Sequence, residues 1–187
     1  MKYWPFSLLL IVSMLWLSWI VMMVVHEFGH ILHAWSSGGR IVKVVLHPLA
    51  ISWTHVEPNT QFVVWGGSIW GCVLPLAAWV IAARLQSSIE YLLRFFTGFC
   101  LIANGMYLGV GFWEPVGDAV ELLNHGTPGW VLLLFGAMTV PAGLRLWHRL
   151  GPRFGLGGSS DDVDSRHAIG VLLVLVVVVL LEITLSA

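Results

Sequence analysis

Val25-His26-Glu27-Phe28-Gly29-His30 reads VHEFGH and closes a long apolar run that begins near Tyr3. The pattern His-Glu-x-x-His has a mechanical meaning on a helix. Residues four apart lie on one face, about one turn up. His26 and His30 can therefore hold one metal ion between them. Glu27 sits about 100° round the helix from His26. From there it can reach a water at that ion as general base. A lone histidine on an apolar face is ordinarily a satisfied core residue, and short motifs recur by chance. Here the setting adds weight. Ionisable side chains inside a lipid-spanning run cost roughly 2.5–3.5 kcal/mol each on insertion scales, so they are read as functional.

The composition supports that setting. The chain has 187 residues, 58% of them hydrophobic and 10% charged, with mean hydropathy +0.86. Soluble domains carry about 25% charged residues. A multi-pass integral membrane protein is expected, placed in the cell membrane. Among the 11 tryptophans, Trp4, Trp53, Trp65, Trp113 and Trp130 suit anchoring at the membrane interface. A net charge of -1 and the lack of a basic stripe exclude a nucleic-acid partner. Cys72 and Cys100 fall in expected membrane helices, where small apolar packing is their reading and a disulfide framework is not. The first apolar segment is too long for a signal peptide and ends in the metal motif, so it is expected to stay in the mature chain.

Five membrane helices are expected, with a short β-hairpin between the first and second. The first runs from about Pro5 to His33 and is broken by Ser36-Ser37-Gly38-Gly39. Arg40–Leu46 (RIVKVVL) and Ile51–Val56 (ISWTHV) are rich in β-branched residues and read as the hairpin, about 40–57. Its edge cannot face lipid unpaired. The second helix, about Phe62–Arg84, opens with Gly66-Gly67-Ser68-Ile69-Trp70-Gly71, read as close backbone packing. Pro75 is expected to kink it. The third spans about Ile89–Phe112, and the fourth about Gly129–His148. Pro115 can open a short helix between them. Residues 1–150 form the membrane core, 151–167 a flexible, exposed polar linker, and 168–187 an additional apolar helix.

Catalytic zinc usually takes three protein ligands and one open position. With two supplied by the first helix, the third must come from elsewhere. Asp118 is the choice, since it follows the third span and is preceded by a glycine that permits close approach. Glu114, Glu121, His33 and His125 compete for the role. His33 shares the face of His26 and His30. It stands about 10 Å along the axis from His26, so one ion cannot join all three on an intact helix. An interfacial or supporting role suits it better.

VHEFGH at the end of the first span is followed by a Gly-Gly-Arg turn, a β-rich stretch, a Gly-rich helix and a helix delivering an aspartate. This order resembles the site-2 protease family of intramembrane zinc metalloproteases, over roughly residues 5 to 125. The resemblance implies hydrolysis of a peptide bond in or beside a membrane-spanning substrate protein. It implies one zinc per chain held by His26, His30 and Asp118, with Glu27 as base. It also implies that an unwound substrate pairs with the hairpin edge. Ala119 stands where the family's aspartate motif has glycine, and that motif's upstream asparagine is not at the matching distance. The chain looks like a minimal, divergent member.

Two other functions compete. One is an inactive zinc-binding membrane scaffold that binds helices, although such a site has no need of Glu27. The other is an ion path, which would place polar groups along several helices; the fourth and fifth are nearly free of them. With five crossings, Lys2, Arg84, Arg94, Arg145, Arg149, Arg153 and Arg166 share one side, and Arg40 and Lys43 the other. That bias places the amino terminus in the cytoplasm. The family resemblance favours the reverse.

Overall fold

The structure, a computed structural model, describes residues 4–157 and 163–186; of Trp4, Leu185 and Ser186 only the backbone is described, and Lys2 lies outside the described residues. The fold is mainly helical. Its elements in order are α1 (Trp4–Ser36), β1 (Arg40–Val45), β2 (Trp53–Glu57), α2 (Gln61–Arg84), α3 (Glu90–Val110), α4 (Asp118–Asn124), α5 (Gly129–Trp147) and α6 (Ser165–Ser186). Among the described residues five helices, all but α4, are long and apolar enough to cross a membrane.

α1 is long because Pro5 falls in its first turn and nothing breaks the apolar run after it. It stops at glycines. Gly38 adopts φ +76, and the Gly39 N–H donates 2.8 Å back to the Ala34 carbonyl. A left-handed residue with this backward bond is a common helix ending. The chain then returns as an antiparallel hairpin in the register Arg40↔Glu57 to Val45↔Trp53, with an irregularity between Ile41 and Lys43. Arg40 closes its base with a 2.6 Å ion pair to Glu57.

Thr60 caps α2 by accepting the Val63 N–H. α2 crosses α1 where both helices lack side chains. A Cβ on Gly29 would collide with the Gly66 carbonyl, and one on Gly66 with that of Gly29. The glycine-rich start of α2 thus serves close packing, as small residues do between membrane helices. Pro75 lies inside α2 without ending it, and its carbonyl accepts the Thr97 hydroxyl of α3 at 2.8 Å. Cys72 and Cys100 are buried free thiols.

α5 lies against α3, with the Trp147 indole donating to the Phe95 carbonyl at 2.9 Å. α6 lies along α1. Two expectations need correction. The short helix begins at Asp118, not at Pro115, because Gly117 turns the chain at φ +52 just before it. The 151–167 linker is not wholly exposed. Gly151–Phe154 forms a single 3-10 turn, and Phe154 and Val163 are buried with Leu10, Met14, Tyr91, Leu92 and Ala168. These two apolar side chains fill the gap between α1, α3 and α6, which pins both ends of the polar stretch.

Candidate metal centre

Four elements converge at one end of the bundle. The last turns of α1 bring His26, Glu27 and His30, all buried. The start of α2 brings Val63 and Gly67, the second half of α3 brings Asn104 and Tyr107, and the start of α4 brings Asp118. Asp118 Oδ2 stands 2.9 Å from His26 Nε2 and 3.3 Å from His30 Nε2. Three donors set tetrahedrally around one zinc-sized ion stand about 3.3 Å apart. The observed separations lie at that value and just below it.

The far side of each imidazole is fixed as well. His26 Nδ1 lies 2.7 Å from Asn104 Oδ1. The Asn104 amide donates to the Cys100 carbonyl at 2.9 Å, so its oxygen is the end that faces the ring. His30 Nδ1 donates to the Val63 carbonyl at 3.0 Å. Metal-binding histidines characteristically spend their second ring nitrogen in this way. In the neutral rings each Nε2 then offers a lone pair, and so does Asp118 Oδ2. Three acceptors this close repel one another unless protons or a cation lie between them. A single divalent ion would satisfy all three together, so the donor set fits a metal.

Gly67 keeps this point open. A Cβ there would lie 2.5 Å from the Nε2 atoms of both His26 and His30. Only a glycine leaves the two nitrogens unobstructed from the α2 side. Gly67 therefore has a role beyond the packing expected of the glycine-rich turn.

Glu27 also comes close. One donor atom from each of His26, Glu27 and His30 lies within 4.8 Å of the others. Two carboxylates thus border the same point. The mutually close cluster is His26, Glu27 and His30, and Asp118 competes with Glu27 for the ligand position because its Oδ2 lies within 3.3 Å of both Nε2 atoms. Glu27 Oε2 is buried without a hydrogen-bond partner among the described residues. A buried carboxylate oxygen left unpaired is costly. It lines a cavity of about 780 Å³ that also takes in His26, His30, Asn104, Tyr107 and Asp118. Residues Ile51 to Val56 line the same cavity. Among the described residues β2 pairs only with β1, which leaves its second edge without a strand partner.

The other candidates fall elsewhere. Glu114 is exposed. Glu121 lies at the cavity wall and accepts from Asn59 Nδ2 at 3.3 Å. His125 is exposed and bonds the Glu121 carbonyl. His33 turns away from the ion position. Its Nδ1 is 2.6 Å from the Phe62 carbonyl, and its ring stacks on Phe62 at 4.1 Å. Sequence reasoning missed Asn104, Tyr107 and Gly67. The signal for Asn104 was present: an amide in the middle of an apolar helix calls for a partner.

The molecule is therefore a helical bundle with five candidate membrane spans and a buried cluster able to hold a metal ion. No family model, curated protein or solved structure matches the chain.

Proposed function

We propose that this protein is an intramembrane zinc metalloprotease that hydrolyses a peptide bond in or beside a membrane-spanning segment of a substrate protein. The reading is carried by one observation: a buried Glu27 carboxylate with an unpartnered oxygen borders the point where His26, His30 and Asp118 converge. A purely structural metal site has no use for such a group. The apolar helices that hold it suit a substrate within the bilayer, and the resemblance of VHEFGH to the site-2 protease motif supports the same reading.

Zinc held there would lower the pKa of a water toward 7 and polarise the scissile carbonyl. Glu27 takes one proton from the attacking water as its oxygen bonds to the carbonyl carbon. It returns that proton to the leaving amine as the C–N bond breaks. Asn104 and the Val63 carbonyl hold the two imidazoles in the tautomer that presents Nε2. A helical substrate shields its own amides, so a segment must unwind before it is cut. The unpaired edge of β2 offers hydrogen bonds to such a segment.

Glu27→Gln tests the reading with purified protein and single-span membrane substrates. Gln is nearly isosteric and cannot act as a base. Cleavage should fall by about 10²–10⁴, while metal content stays at one per chain. Equal cleavage by both forms would refute the mechanism. Metal retention by both forms with no cleavage by either would instead favour an inactive metal-binding scaffold.

A further inference from the structure

We propose that Tyr107 is a catalytic residue of this hydrolysis, donating a hydrogen bond to the scissile carbonyl oxygen as it takes up charge; the inference rests on the protease reading above. The phenol is placed by three independent features. The Asp118 backbone N–H donates to Tyr107 Oη at 2.7 Å. Gly117 sits at φ +52 without a side chain, and a Cβ there would collide with that same oxygen. The ring stands edge-on to His26, with centroids 5.9 Å apart and planes at 72°.

The hydroxyl therefore spends a lone pair on Asp118, while its own proton has no acceptor among the described residues. A hydroxyl carries one donor and two acceptor sites. The unspent donor lies in the wall of the cavity that holds Glu27 and Asn104. A side chain needed only for packing would be served by phenylalanine, with no hydroxyl to accommodate at Gly117. Preorganised donors aimed at developing charge are among the largest contributors to acyl-transfer catalysis. No proton is transferred from the phenol. The only protons that move are those of the attacking water, one through Glu27 to the leaving amine.

A second role is built into the same contact: Tyr107 holds the start of α4, and through it Asp118. The test must separate the two. Full-length Tyr107→Phe would be compared with wild type at saturating zinc, measuring metal content, KM and kcat on a single-span substrate. In parallel, binding of a phosphinic peptide, whose anionic oxygens mimic the reacting carbonyl, would be compared with binding of the plain peptide. The expected result is full metal content, unchanged KM, and kcat lower by about 10²–10³. Phosphinate affinity should fall by a comparable factor, with plain-peptide affinity unchanged. Recovery of kcat at saturating zinc would overturn the proposal and leave Tyr107 as a support for Asp118. Unchanged phosphinate binding would overturn it too. A wild type that cleaves nothing would refute the protease reading. In that case, weakened phosphinate binding in the variant would still support the donor, and unweakened binding would refute it.

Discussion

The two halves of α1 are buried by different chemistry. Near its start, Leu10 and Met14 pack into a cluster with Tyr91, Leu92, Phe154, Val163, Ala168 and Val171. Near its end, His26 and His30 are held by directed hydrogen bonds to Asn104 and Val63, with Asp118 Oδ2 within 3.3 Å of both Nε2 atoms. Contact in the first half is mostly a matter of volume, and apolar side chains of similar size can substitute there. Contact in the second half is a matter of position, since each ring nitrogen has one partner. The difference teaches that the helix is one rod with a tolerant half and an intolerant half. Substitutions should sort accordingly when metal affinity is measured.

The largest effect is expected at Gly67. Gly67→Val places a Cβ 2.5 Å from both Nε2 atoms. It should abolish metal binding while the protein still extracts and runs as a folded species in detergent. Full metal occupancy in Gly67→Val would show that the ion position lies elsewhere.

An intermediate effect is expected at Asn104. Asn104→Ala frees His26 Nδ1 and leaves both ligand rings in place. Loss of such a supporting bond typically costs 10–100-fold in metal affinity. Competition titration with a chelator of known affinity measures it. Unchanged affinity would mean that His26 is oriented by packing alone, and the contrast between the two halves would blur.

The smallest effect on metal is expected at Leu10. Leu10 is fully buried, so Leu10→Ala should lower stability by about 2–5 kcal/mol. Metal affinity should be unchanged, because the cavity borders α1 only from Trp19 onward. Thermal unfolding followed with the chelator titration separates the two readouts. A large loss of metal affinity would show that the halves are coupled.

The legibility of the sequence follows the same division. The histidine pair and Glu27 were readable because their relation is local, four residues on one helix. The five long helices were readable because length and apolar composition are local too. The hairpin was readable from β-branched runs on either side of His47-Pro48-Leu49-Ala50. Asp118 could be singled out only by asking which carboxylate might arrive from a later segment. Asn104 meets His26 across 78 residues of sequence; an amide inside an apolar helix announces that a partner exists, but not which one. Gly67 was read as packing because its neighbour Gly66 does pack against Gly29. Only the packing of α2 on α1 brings the second glycine against the histidines. The linker misled for a simpler reason. Its Gly, Ser and Asp residues outnumber Phe154 and Val163, yet those two decide where its ends lie.

The central claim is that His26, His30 and Asp118 together hold one metal ion and that Glu27 does not. Metal content of detergent-purified protein, measured by elemental analysis per chain, tests it most directly. Wild type and Glu27→Gln should each carry about one zinc, as a single three-ligand site requires. The double variant His26→Ala, His30→Ala should carry none, and Asp118→Ala should be strongly depleted. Stoichiometric zinc in the double histidine variant, or its loss in Glu27→Gln with retention in Asp118→Ala, would contradict the account.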